Sequence, residues 1–173
     1  MGKTKSQKQE RKWAKAMGGR AIPGSGNTPV WKGDVDSDRE RKRAWKLECK
    51  TTKRNTYTLS HQDLCKIENH AKKVGRLPAF IVAFRDDDKL GGGEFVVIRK
   101  EDFSAKDKEK LSYIIDRYPM GTIKDRIRFV LEELNDCWLN DKLIELSMMG
   151  KKYIILNELD FRRITDEDII HRG

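Results

Sequence analysis

The sequence predicts an α/β protein: a mixed sheet core of about 100 residues flanked by helices, with a mainly helical C-terminal extension. Three observations carry that expectation. Residues 79–84 (AFIVAF) are apolar at every position, as a strand covered on both faces must be. A helical pattern precedes them, with Leu64, Ile67, Ala71 and Val74 on one stripe. Before that helix, residues 44–50 alternate, with Trp45, Leu47 and Cys49 on one side and Lys46, Glu48 and Lys50 on the other. Strand, helix and buried strand make a crossover, so part of the sheet is parallel.

The elements follow in chain order. Residues 1–6 are small, polar and basic, and are expected to be mobile. Ser6 to Met17 reads as a helix with Trp13, Ala14 and Met17 at helical spacing, ended by Gly18-Gly19. Glu10 precedes those three by three, four and seven positions and shares their face; an acid on an inward stripe requires a cationic or metal partner. Residues 23–29 (PGSGNTP) suit neither a helix nor a central strand. Trp31 to Asp36 reads as a short strand, Ser37 to Arg43 as a charged turn, and Ala44 to Lys50 as the strand returning beside the first.

Ser60, with Asp63 three residues on, is a variant of the capping box, and the helix it opens stops at Gly75. Asp86–Asp88 and Gly91–Gly93 form a loop, and Glu94 to Arg99 a further strand. Residues 105–117 read as helical. Ile123, Ile127, Val130, Leu131 and Leu134 mark a second helix continuing through Leu146 with a break near Asn135, and Lys152 to Asn157 a final strand. The expected division is a core over 1–104 and a helical extension over 105–173 packed on it.

The chain of 173 residues carries a formal charge of +9, and the excess is local. Residues 1–60 hold 16 Lys and Arg against 6 Asp and Glu; residues 61–173 hold 21 against 22. A basic field of that kind attracts a polyanion, most often nucleic acid. The longest apolar run, residues 79–84, is far short of a membrane span or a signal-peptide core, so the expectation is a cytoplasmic protein without membrane contact. Cys49, Cys65 and Cys137 lack CxxC spacing, and His61, His70 and His171 lack metal-ligand spacing, which argues against a disulfide scaffold and a zinc site. Gly24-Ser25-Gly26 is not followed by the lysine of a nucleotide phosphate loop.

Asp34, Glu48 and Lys50 form the constellation with chemistry in it. Two residues apart on a strand, Glu48 and Lys50 leave one face about 7 Å apart. If the strands pair through the turn at 37–43, Asp34 comes alongside Glu48. Two adjacent carboxylates repel, and a hard divalent cation such as Mg²⁺ relieves the repulsion. A lysine beside the metal can orient a water or stabilise the charge of an in-line phosphoryl displacement. Trp13 and Trp31, flanked by basic residues, could stack on bases, though burial is the commoner fate.

Lys32-Gly33-Asp34-Val35 followed by Glu48-Cys49-Lys50 resembles the PD-(D/E)XK nuclease signature, with Gly33 in place of the proline that names it. The wider context, over roughly residues 7–104, is similar to the Holliday-junction-resolvase branch found in archaea and bacteriophages. The resemblance implies a restriction-endonuclease-like fold. It also implies metal ligation by Asp34 and Glu48 with Glu10 as a third acid, catalysis by Lys50, and Ser25 in a loop near the scissile phosphate. Gln62 matches a polar position supporting the site. Lys12, Arg20, Ser25, Asn27, Lys32, Lys53 and Arg54 are the expected DNA contacts. The implied cofactor is Mg²⁺, with Mn²⁺ as a substitute. The implied partners are four-way DNA junctions and a second copy of the chain, since two symmetric nicks call for a twofold pair of sites. The host would be a bacterial, archaeal or phage-infected cell. The alternatives are a repair or restriction-type nuclease on duplex or flap DNA, and a non-catalytic nucleic-acid-binding protein.

Overall fold

A computed structural model describes residues 5–22, 35–36, 43–84, 93–111, 114–117, 125–140 and 142–166. Its elements run α1 (Lys5–Ala16), β1 (Arg20–Ala21), β2 (Val35–Asp36), β3 (Trp45–Thr52), β4 (Thr56–Ser60), α2 (His61–Lys73), β5 (Leu77–Phe84) and β6 (Glu94–Arg99). A 3₁₀ turn at Lys100–Asp102 leads into α3 (Ala105–Leu111), β7 (Ile114–Arg117), β8 (Arg126–Val130), α4 (Leu131–Leu139), β9 (Lys142–Met148), β10 (Lys151–Asn157) and α5 (Glu158–Asp166).

The class is mixed α/β, as the pattern predicts. One sheet has the order β1-β2-β3-β5-β6-β10-β9-β7, and β4 pairs with β8 as a separate ribbon. The crossover through α2 makes β3 and β5 parallel, with Glu48 opposite Phe80 and Lys50 opposite Val82. β2 runs antiparallel to β3, with Val35 opposite Leu47 and Asp36 opposite Lys46.

Both faces of the sheet are covered, which is why β5 is apolar throughout. Ala79 and Ile81, with Val96, Ile98, Ile154 and Leu156, pack against Trp13, Ala14 and Met17 of α1, Leu111 of α3 and Phe161 and Ile164 of α5. The alternate residues Phe80, Val82 and Phe84 join Leu64 and Ile67 of α2, Leu131 and Leu134 of α4 and the inner face of the ribbon. Ser60 caps α2 as its spacing implies: its hydroxyl accepts from Asp63 N–H at 3.1 Å and donates to Asp63 Oδ2 at 2.7 Å. Gly75, at φ +65°, closes that helix, and Arg76 N–H returns to Ala71 O at 2.9 Å.

The segment 105–173 departs from its expected helical character. Its described residues supply four strands as well as three helices, and β10 hydrogen-bonds to β6, so the sheet continues across residue 104. Ile127, Val130, Leu131 and Leu134 do not lie on one helix. Ile127 and Phe129 point inward from β8, and α4 begins only at Leu131. The continuation of that helix expected through Leu146 is replaced from Lys142 by β9. Met149 and Gly150, both at positive φ, make the two-residue turn into β10. The final strand expected at 152–157 is present as β10. Among the described residues no helix is long and apolar enough to cross a membrane.

Candidate functional site

β3 sets the site. Its inward residues Trp45, Leu47 and Cys49 are buried, so their neighbours Lys46, Glu48 and Lys50 share the opposite side. Lys46 is itself buried, at 3% exposure, whereas Glu48 and Lys50 open towards solvent. Lys50 Nζ lies 2.6 Å from Glu48 Oε1, with the two side chains 43% and 22% exposed. The two functional ends thus meet at one accessible point on a strand whose other face is anchored in the core.

α1 supports this point from the other layer. Gln9, Trp13 and Met17 recur at four-residue spacing and form its buried stripe, while Glu10 is half-buried beside Gln9. The inward polar position expected for Glu10 is therefore held most deeply by Gln9. Its Nε2 donates to Lys50 O at 3.2 Å.

On the opposite side of β3, Tyr57 leans from β4 against Phe80, the ring centroids 6.3 Å apart. Burial first, and the Asp63 carboxylate next, push the Tyr57 phenol up to about 12; Lys50 lowers it and Glu48 raises it by smaller amounts. Tyr57 and Asp63 thus share the electrostatic surroundings of the Glu48–Lys50 pair. Local sequence patterns do not single out Gln9, Tyr57 or Asp63 as site residues. The four-residue interval from Gln9 to Trp13 is the available signal for the first.

The remaining expected residues divide into four groups. Asp34, Ser25, Asn27 and Lys32 lie outside the described residues. Arg20 is placed by its main chain in β1, opposite Asp36. Lys53 and Arg54 are exposed in the turn between β3 and β4, and Gln62 is exposed in the first turn of α2. Lys12 is held by acids: its Nζ is 2.6 Å from Glu158 Oε2 and 3.3 Å from Glu94 Oε2. Trp13, fully buried, donates from Nε1 to the same Glu94 oxygen at 2.7 Å, and the Arg162 guanidinium stacks 5.7 Å from its ring centroid. Burial raises the Glu94 carboxyl, with Lys12 pulling in the other direction.

A divalent cation requires several oxygen donors. Among the described residues no three His, Cys, Asp or Glu side chains cluster closely enough to hold a metal. Glu48 supplies one accessible carboxylate, the half-buried Glu10 is the other described acid of the expected set, and its remaining member, Asp34, is outside the described residues. The two described members of that set would offer a hard cation carboxylate oxygens only. Cys49, the nearest thiol in sequence, is buried on the opposite face of β3.

No protein-family profile and no curated protein sequence matches this chain. Among solved structures, it is similar to a Holliday junction resolvase from the archaeal hyperthermophile Archaeoglobus fulgidus. That similarity has a TM-score of 0.40 at 18% identity, and covers 46% of this chain and 68% of that one. The class that fold and site define is a mixed α/β protein. Its sheet carries an accessible Glu–Lys pair on the strand before the crossover helix.

Proposed function

We propose that this chain is a metal-dependent, structure-selective DNA endonuclease of the PD-(D/E)XK type that hydrolyses phosphodiester bonds. Four-way junctions are the proposed substrate and a homodimer the working form. The observation that carries the reading is the meeting of Glu48 and Lys50 at 2.6 Å, both partly exposed, on an otherwise core-bound strand. A binding protein gains nothing from directing a carboxylate at phosphate, whereas a hydrolase uses it. The antiparallel register of Val35–Asp36 on Leu47–Lys46 is the pairing that bringing the acids together requires. The basic first third of the chain supplies the attraction for a polyanion.

In this reading Glu48, with Asp34 and Glu10, would hold Mg²⁺ or Mn²⁺, which when bound polarises a phosphoryl oxygen and acidifies water. The chain's own groups do the rest. Lys50 directs its ammonium at the scissile phosphate, where negative charge grows as the bond breaks. Gln9 fixes the main chain beneath Lys50, so the ammonium starts from a defined position.

The test is cleavage of an immobile four-way junction in Mg²⁺, with Ca²⁺ as a binding-only control and flap and linear duplex DNA as comparison substrates. Paired symmetric nicks in the junction are expected. Glu48→Ala and Lys50→Ala should abolish them while leaving junction binding in place. A normal cleavage rate from either variant overturns the site, and preferred cutting of flap or linear duplex overturns the junction specificity.

A further inference from the structure

The β4–β8 ribbon joins two parts of the chain that the sequence treats separately. β8 belongs to the segment 105–173, and it pairs antiparallel with β4 beside the site: Thr56 lies opposite Val130, Thr58 opposite Arg128 and Ser60 opposite Arg126. Directly paired residues point to the same side, so the ribbon has two contrasting faces. Leu59, Ile127 and Phe129 are buried within the core on the inner face, and Tyr57 is half-buried there. The outer face carries Thr56, Thr58, Ser60, Arg126, Arg128 and Val130, with both arginines exposed.

That outer face consists of guanidinium and hydroxyl groups with one valine, and it holds no carboxylate. The turn that begins the ribbon adds exposed Lys53 and Arg54, and Leu131 N–H holds that turn to β8 through Asn55 O at 2.9 Å. Four cations therefore follow the ribbon over about 17 Å, the length of five strand residues. The acids near it lie at its margins: Asp63 of α2 accepts from the Ser60 hydroxyl at 2.7 Å, Asp125 precedes Arg126, and Glu132 and Glu133 sit in the first turn of α4, where a helix N-terminus favours them. Arg126 and Arg128 are two apart on one strand, about 7 Å along it, and can meet successive phosphates of one DNA strand. Arginine and Ser/Thr hydroxyls are the side chains that hold DNA phosphates without reading sequence.

We infer that the outer face of the β4–β8 ribbon is a docking surface for the phosphate backbone of a duplex DNA arm, with Arg126 and Arg128 as its central contacts. The inference rests on the proposed DNA substrate and deepens it. The inner-face Tyr57 shares the electrostatic surroundings of Glu48 and Lys50, and the Lys53–Arg54 turn begins three residues after Lys50.

The experiment measures affinity of the full chain for duplex and four-way-junction DNA in Ca²⁺ over a salt series, comparing wild type with Arg126→Gln/Arg128→Gln. Losing two phosphate contacts should weaken binding and reduce the slope of log affinity against log salt by about 2. The circular dichroism spectrum should be unchanged, because both side chains are exposed. Should that variant misfold, Lys53→Gln/Arg54→Gln in the exposed turn tests the same stripe with the same expected change in slope. An unchanged slope in a folded variant of a DNA-binding wild type overturns the inference, leaving the stripe to an acidic protein or to solvent. Cleavage in Mg²⁺ separates the two readings. A wild type that binds DNA with the ribbon-dependent slope yet cuts nothing keeps the surface and sinks the nuclease; a wild type that binds no DNA sinks both.

Discussion

Gln9, 1% exposed on the inner stripe of α1, donates from Nε2 to the main-chain carbonyl of Lys50 at 3.2 Å, across 41 positions of sequence. Its Oε1 is also buried and has no hydrogen-bond partner among the described residues. One amide thus anchors the site strand to the first helix while its own oxygen goes unsatisfied.

Gln9→Ala removes the donor to Lys50 O and opens space in the core, and is expected to cost about 1–3 kcal/mol in urea unfolding. Gln9→Met refills the space and eliminates the unsatisfied oxygen, so its cost should be smaller. Equal losses in the two variants would show that the hydrogen bond alone sets the effect.

Arg43 and Asp107 tie the segment after residue 104 to the start of β3. Arg43 Nη1 and Nη2 reach the two Asp107 oxygens at 2.7 and 3.0 Å, and Nη2 also donates to Ile164 O at 2.8 Å. Asp107 is 1% exposed, so Arg43→Ala strands a buried carboxylate and is expected to destabilise the fold by about 3 kcal/mol. Arg43→Lys keeps the charge and loses the planar fork, and should recover only part of that. Thermal unfolding of both variants checks the order.

The same carboxyl makes a pH prediction. Burial acts to raise Asp107, but hydrogen bonds from Arg43 and from the Ser104 N–H and hydroxyl outweigh it and hold the carboxyl below its ordinary value. A depressed acid contributes stability above its unfolded pKa, roughly 4, and that contribution fades as pH falls through the folded value. The stability difference between wild type and Asp107→Asn should therefore be constant from neutral pH to about pH 5 and shrink below about pH 4. A difference that grows on acidification would contradict the assigned direction.

Tyr57, pushed up to about 12 by burial and by Asp63, keeps its proton through any workable assay pH. If the chain cuts DNA, the pH–rate profile between about 6 and 10 should contain no phenol ionisation. Tyr57→Phe retains the ring against Phe80 and should leave the alkaline limb where it is in wild type. A shifted limb in that variant would make the phenol a titrating participant.

Lys46, Glu48 and Lys50 share one side of β3 by a local rule, since period-two alternation with Trp45, Leu47 and Cys49 dictates it. Equally local are the Ser60 cap, the Gly75 stop and the double-sided burial of β5: each is a rule about neighbours in sequence. The helix expected around Ile127 fails for a definite reason. Ile127, Leu131 and Leu134 satisfy a helical period while Arg126 to Val130 alternate with period two, and only the pairing of Ile127 with Leu59 selects the strand. The β9–β10 hairpin is hidden in the same way, since Met149 lacks the small polar side chain that usually announces a turn at positive φ.

By itself, then, the sequence determined the α/β class, the crossover from β3 to β5 and the shared face of Glu48 and Lys50, because strand period and helix caps act within a few residues. Tertiary structure decided that Gln9 rather than Glu10 goes deepest beneath Lys50. It also joined β10 to β6, extending the sheet, and brought Arg126 and Arg128 onto a ribbon beside the site. Those outcomes depend on contacts between residues 41 to 74 positions apart, which no local period encodes.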